Sequence, residues 1–360
     1  MIRTRLLGRY KVAIWSYYML LEFKKVRRLC FRSLRLDPFQ MKLYLYLLAT
    51  FFPIEQEISD IWSIGIYKLA LLNGNLKLSI DRSVKNPILS AKNLKKEGID
   101  YAADPFLVST DACKYLFFEA FKGAKGEIGL AVSKDYKEWE YKSIVLSEPF
   151  HLSYPMIFKW GQQYYMLPET HETSSVRLYQ ATHFPYKWRF IKTLFEGKAF
   201  VDPTLLRYKD HFWIFVSDIS DANLYLYYAD TLQGPWKSHP KSPIIINNKS
   251  IARPGGNIIQ IQDKLIRIAQ DDFNSYGHAL RAFEITLLST EEYEEKELPT
   301  SPLLKASTKG WNKDGMHHLS VCQVGEKEWV AAVDGKISIK NYKLRRKDKR
   351  KVWADLREKV

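Results

Sequence analysis

Four segments of this chain share one layout: residues 103–119 (ADPFLVSTDACKYLFFE), 153–169 (SYPMIFKWGQQYYMLPE), 201–218 (VDPTLLRYKDHFWIFVSD) and 252–271 (ARPGGNIIQIQDKLIRIAQD). Each opens on a residue before proline, runs through a short apolar strand, turns at polar residues and returns to an acid. A fifth segment, 317–334 (HHLSVCQVGEKEWVAAVD), lacks the proline and keeps the two strands and the acid. The pre-proline residues Asp104, Tyr154, Asp202 and Arg253 stand 50, 48 and 51 residues apart. A period near 50 with several short strands per repeat is the signature of propeller blades. A third alternating strand follows each acid in the first four copies, at 128–132, 176–181, 224–229 and 279–285,. Trp139, Trp188 and Trp236 trail the first three copies, where an outer strand must cover its neighbour. A β-sandwich requires no such fixed period. The sequence therefore predicts an all-β, five-bladed β-propeller over residues 61–337.

In a propeller the first strand of each blade lines the central channel, so the residues that open those strands meet around one mouth. Here that ring is Asp104, Tyr154, Asp202, Arg253 and His317. Carboxylates, an arginine and a histidine converging on one pocket are costly to bury unless they bind or react with something. Each Asp taken singly also reads as a turn cap before proline; recurrence at one blade position favours the site. Adjacent strand residues point to opposite faces, so at most one of His317 and His318 looks into the channel. Gly255-Gly256 is too short for a dinucleotide fingerprint and reads as a close backbone approach or a bulge. Asp271 ends the fourth return strand and is a candidate ligand contact. No P-loop, G-x-S-x-G, H-E-x-x-H or kinase signature occurs,. No metal set and no cofactor is assigned.

Asp104-Pro105, Tyr154-Pro155, Asp202-Pro203 and the Gly234-Pro235-Trp236 that closes the third blade resemble glycoside hydrolase family 43. That resemblance implies Asp104 as the base of an inverting reaction and Asp202 as the residue that tunes and orients the acid. The sequence departs from the family at the fourth blade, where the expected acidic glutamate is replaced by Arg253. An arginine donates no proton at neutral pH, although it binds phosphate well. Either another carboxylic acid serves, with Glu169 the candidate, or the chain is not a simple hydrolase. A longer run from Trp62-Ser63-Ile64-Gly65-Ile66-Tyr67 through Asn86-Pro87, Ala103-Asp104-Pro105-Phe106, His151-Leu152-Ser153-Tyr154-Pro155 and Arg253-Pro254-Gly255-Gly256 to Gln270-Asp271 resembles another family. It is similar to the N-terminal domain of glucosamine inositolphosphorylceramide transferases and related bacterial proteins. In the plant enzymes a separate domain carries the known transferase activity, so this resemblance implies the fold and a glycan setting before it implies a reaction.

Charge lies at the two ends. Residues 1–53 hold 11 Lys/Arg against Glu22 and Asp37, a balance of +9, and residues 340–360 hold 10 against Asp348, Asp355 and Glu358, a balance of +7. With a total of +15, the middle is left near −1. A nucleic-acid reader more often carries its charge on the reading domain, so nucleic acid is not an expected partner. Residues 1–60 read as a basic amphipathic helical extension and 338–360 as a basic tail, both suited to an anionic membrane surface. Three well-separated cysteines form no disulfide or metal spacing, which favours a reducing compartment,. A cytoplasmic, peripherally membrane-associated protein is expected.

Three functions fit these observations. The first is inverting glycosyl transfer in surface-polysaccharide or glycolipid synthesis, from a phosphate-bearing sugar donor to a glycan or glycolipid acceptor. Asp104, Asp202 and Glu169 would then be catalytic, with Tyr154, Arg253, His317 and Asp271 binding substrate. The second is a family 43-like hydrolase. The third is a non-catalytic glycan-binding propeller serving a partner glycosyltransferase.

Overall fold

The computed structural model describes residues 54–344, together with residues 25, 26, 28–30 and 32. Two compact units emerge: Met1–Ser59 with Ile339–Val360, and Asp60–Ser338. In the first, residues 25, 26, 28–30 and 32 have helical backbone, Val26 and Cys30 are buried, and burial pushes the Cys30 thiol up to about 11. The rest of the expected helical extension before Ile54, and the basic tail after residue 344, lie outside the described residues. Among the described residues no helix is long and apolar enough to cross a membrane.

The strands form a five-bladed β-propeller. Blade one runs Tyr101–Ser109, Lys114–Lys122, Lys125–Ser133 and Glu140–Leu146 from channel to rim, and blade two Ser153–Trp160, Gln163–Glu169, Ser175–His183 and Lys187–Glu196. Blade three comprises Phe200–Tyr208, His211–Asp218, Leu224–Ala229 and Lys237–Ser238. Blade four has five strands where the other blades have four. Its inner strand is only Ile259–Ile261, followed by Lys264–Asp271, Ala279–Leu288 and Tyr293–Glu297, with Leu304–Lys305 as a fifth strand beside Ala279–Leu288. Blade five is closed by both chain ends: Leu319–Gly325 and Glu328–Leu344 pair with Ile54–Leu72 and Asn75–Ile80. Its outer strands therefore begin at Ile54, before the expected boundary.

Burial runs almost unbroken along inner and middle strands such as Tyr101–Ser109, Phe200–Tyr208 and His211–Asp218, so each sheet buries both faces against its neighbours,. The core is accordingly not one cluster but five, one between each pair of blades. The three trailing tryptophans each seal the contact with the preceding blade. Their indole N–H groups donate to backbone carbonyls a few residues upstream: Trp139 to Tyr136, Trp188 to Pro185 and Trp236 to Leu232. A buried indole needs such a partner.

One local feature recurs and positions the site. In blade one Ala103 pairs with Glu119 and Phe106 with Phe117, so Asp104 and Pro105 face the single residue Phe118. The same extra residue occurs at Tyr154-Pro155 and Asp202-Pro203. A bulge is where a strand accepts a proline, whose missing N–H would break a regular ladder, and it re-aims the neighbouring side chain. Asp104, Tyr154 and Asp202 all adopt left-handed backbone there, with φ of 50°, 45° and 52°. For a non-glycine residue this costs roughly 1–3 kcal/mol.

Candidate active site at the channel mouth

The strained bulges are held by carboxylates. The Asp104 N–H donates to Asp334 Oδ2 at 3.1 Å, across from blade five to blade one. The Tyr154 N–H donates to Asp104 Oδ2 at 3.2 Å, and the Asp202 N–H to Glu169 Oε2 at 3.3 Å. Each acid thus pins the bulge of the next blade, and the acids that end the return strands of blades two and five face inward for that reason. Asp218 does not join them. It organises its own turn, accepting from Ser220, Asn223 and Tyr225.

Arg253 sits above this ring and is spent on carboxylates. Its Nε donates to Asp202 Oδ2 at 2.6 Å, Nη1 to Asp221 Oδ1 at 2.8 Å and Nη2 to Asp202 Oδ1 at 3.4 Å. Nη2 is also 3.6 Å from Glu169 Oε2. The guanidinium stands over the Tyr276 ring. Gln270 Nε2 adds a second donor to Asp202 Oδ2 at 2.7 Å. The expected phosphate fork is therefore corrected: Arg253 binds Asp202 and Asp221, lies beside Glu169 and has no fork left to offer.

Glu169 is held ionised. Burial pushes its carboxyl up, but the bond from His171 Nδ1 at 2.7 Å, with Arg253 beside it, overrides this and holds it at about 2. A group held as a carboxylate has no proton to give at neutral pH, so Glu169 does not suit the acid role expected of it. Glu119 has the opposite character. It is buried on blade one beside Tyr101 and His151, and burial together with Asp104 and Glu169 pushes its carboxyl well above the usual range. It keeps its proton.

Asp104 lies between these extremes. Burial and Asp334 raise its carboxyl while His317 lowers it, leaving it at about 6. Oδ2 is engaged by Tyr154, whereas Oδ1 has only His317 Nε2 and His318 Nδ1 near it, both at 3.7 Å. His317 stacks on Trp62 with ring centres 4.0 Å apart, and its Nε2 is 3.1 Å from the Tyr276 hydroxyl. Burial lowers the His317 imidazole, but Asp334, 2.8 Å from Nδ1, and Asp104 outweigh it and leave it above its usual value. His318 is fully buried against Phe106 and Tyr154 and pushed down to about 3 by burial, a neutral ring. Asp104, His317 and Asp334 have donor atoms within 4.8 Å of one another and could hold a cation. The His317 Nδ1–Asp334 Oδ2 contact is an ion-pair approach at 2.8 Å without hydrogen-bond geometry, and Nδ1 has no hydrogen-bond partner among the described residues.

One expected substrate contact is corrected. Tyr154 is fully buried, and its hydroxyl is used internally: Gly256 N–H donates to it at 2.9 Å and it pairs with the Thr204 hydroxyl at 2.7 Å. It braces blades two, three and four. Asp271 is partly exposed and accepts from its own loop at Phe273 N–H. The neighbour Asp272 is the buried one: Gly277 N–H donates to Oδ1 at 2.6 Å, while Oδ2 has no partner. Asp104, Asp202, Glu169, Arg253 and His317 come together as expected. Glu119 and Asp334 were visible in the repeat as blade acids. Trp62, Asp221 and Tyr276 lie outside the repeat pattern, in the closing strand and in loops.

A family profile described as glucosamine inositolphosphorylceramide transferase 1, N-terminal, matches residues 60–336. The chain belongs to this family. It is 36% identical over 267 residues to glucosamine inositolphosphorylceramide transferase 1 of Oryza sativa subsp. japonica, covering 70% of this chain and 36% of that protein. The Arabidopsis thaliana protein of the same name is also 36% identical, with 70% and 34% covered. The chain thus spans about a third of the length of these relatives. A thermostable family-43 glycoside hydrolase superposes with a TM-score of 0.50 at 16% identity, over 67% of this chain and 92% of that one. That likeness shows the fold.

Proposed function

We propose that the channel mouth is a carbohydrate site and that the chain carries out inverting glycosyl transfer, from a phosphate-bearing sugar donor to a glycan or glycolipid acceptor. Asp104 is the base. The observation that carries this reading is its poise: a buried carboxyl at about 6, with Oδ2 fixed by Tyr154 and Oδ1 open to accept a proton. A base near the working pH is the most effective kind. Asp104 takes the proton of an acceptor hydroxyl, the oxygen attacks the anomeric carbon, and the leaving group departs from the opposite face.

The state of the other groups supports a phosphate leaving group. Phosphate departs as an anion and needs no proton donor, and the position of the hydrolase acid is occupied by Arg253, with Glu169 ionised beside it. The names of the relatives are consistent with a sugar passing to a phosphorylated lipid. Surface-polysaccharide or glycolipid synthesis at the cytoplasmic face of a membrane is the setting this reading implies.

Glu119 favours a second reading. A buried, proton-holding carboxyl near Asp104 is what a hydrolase acid requires,. The two readings separate by product. Incubation with nucleotide sugars, polyprenyl-phosphate sugars and aryl glycosides, with the anomeric form of the product read by NMR, decides between them. Transfer predicts an inverted glycoside from a phosphate-bearing donor, unaffected by Glu119→Gln. Cleavage of the aryl glycoside that is lost in Glu119→Gln would replace transfer by hydrolysis.

A further inference from the structure

His171 follows the return strand of blade two and opens a short 3₁₀ turn, His171–Thr173. The turn is held from several sides. Thr170, buried, donates through Oγ1 to Ser175 O at 2.6 Å, and Thr173 Oγ1 donates to Thr170 O at 2.7 Å. Glu172 Oε2 accepts from the His151 N–H at 3.0 Å. Gly197 N–H donates to Ser174 O at 2.9 Å and ties in the loop before blade three, which carries the exposed Lys198.

The chemistry of the His171 ring follows from its partner. Nδ1 lies 2.7 Å from Glu169 Oε1, and an ionised carboxylate only accepts, so Nδ1 carries a proton. Nε2 is left over, and no hydrogen bond among the described residues reaches it. The side chain is 24% exposed, whereas those of His317 and His318 are buried. The charged groups that act on it are Glu169, Glu172 and Arg253, with His151, lowered by burial, 5.7 Å away ring to ring. The bond to Glu169 outweighs burial and Arg253 and holds the imidazole above its usual value. Nε2 then presents an N–H with a positive charge behind it.

A phosphate entering a mouth lined by carboxylates needs a cation of its own. Arg253 is engaged by Asp202 and Asp221. His317 is buried, with Tyr276 at Nε2 and Asp334 against Nδ1. Lys336 donates to Asp60. His171 keeps a donor atom unused.

We infer that His171 binds the phosphate of the sugar donor through Nε2–H, on the blade-two side of the mouth, with Glu169 as its positioning residue. The acceptor hydroxyl proton goes to Asp104, the new bond to the anomeric carbon forms, the bond from that carbon to the phosphate oxygen breaks, and the phosphate leaves as an anion stabilised by the imidazolium. His171 keeps its proton throughout. The assignment rests on the transfer reading, since a neutral glycoside brings no phosphate.

The test is NMR of the full chain with histidine labelled at Cε1, the His171 signal being the one lost in His171→Gln. Dimethyl phosphate stands for a lipid-phosphate sugar and symmetrical dimethyl diphosphate for a nucleotide sugar. Both hold a constant charge across neutral pH, and sodium chloride at equal ionic strength is the control. One or both should raise the midpoint of the His171 titration by about one pH unit over chloride, which corresponds to about tenfold tighter binding to the protonated ring. The stronger of the two gives the kind of donor. Calorimetry on the wild type needs no variant: affinity for the tighter probe should fall about tenfold as the pH rises through that midpoint, where the imidazole loses its charge. Asp104→Asn should keep this fall, because it removes another group that titrates nearby and leaves His171 in place. A His171 midpoint unmoved by either probe, or an affinity independent of pH, would overturn the inference. So would a folded His171→Gln that binds the probe as the wild type does, since His171 would then only neutralise Glu169. No arm measures turnover, so failure of the transfer reading, which is read from products, and failure of this contact are separate results.

Discussion

Glu169 and Asp104 are both buried acids that pin the bulge of the next blade, yet their protons behave differently. His171 and Arg253 hold Glu169 at about 2, against an ordinary 4.5. Because the folded value is depressed, its contribution to stability is present above 4.5 and fades as the pH falls toward 2,. A shift of this size corresponds to about 3 kcal/mol for a fully buried group. Glu169→Gln should therefore lower stability at neutral pH by about that amount, and its denaturation midpoint should vary less between pH 4.5 and 2 than that of the wild type. Arg253 belongs to the same account. Sequence reasoning marks it as the place where a hydrolase glutamate is missing and assigns it to phosphate. It could not show that Asp202, Asp221 and Glu169 converge on the guanidinium, because Asp221 lies in a loop with no periodic signature.

At the scale of elements, the legible part was the repeat. Three X-Pro openings each became a bulge, and the third strands lie where apolar alternation places them. The fourth copy was the illegible one. Arg253 makes a regular approach to Gln270 rather than a bulge, and Gly255-Gly256 carries the chain against blade five. Gly256 has φ of 140°, and an added Cβ there would meet Leu319 O at 1.8 Å. Backbone against backbone cannot yield as a side chain tip does. Gly256→Ala should cost roughly 3–5 kcal/mol, with a lower denaturant midpoint at an unchanged slope. A midpoint equal to the wild type would show that blades four and five are not locked at this contact. The closing strand was also hidden, since Trp62 precedes the first repeat and reaches the mouth only because blade five draws strands from both ends of the chain.

Across the whole molecule, five blades place the ends of their inner strands around one opening, and only some of the polar residues there are free to react. Tyr154, Asp334 and Glu169 are committed to holding the ring, and Arg253 to binding Asp202 and Asp221. Among the described residues at the mouth, Asp104 combines a fixed orientation with an open oxygen and a value of about 6. The most direct test is to compare wild type and Asp104→Asn with whichever donor and acceptor the substrate screen identifies, measuring binding by calorimetry and turnover across pH. Removal of a general base costs on the order of 10²–10⁴ in rate. The account predicts that Asp104→Asn binds the sugar donor within about threefold of the wild type, loses turnover on that scale, and that wild-type turnover falls as the pH drops through about 6. Turnover by Asp104→Asn equal to that of the wild type would contradict it.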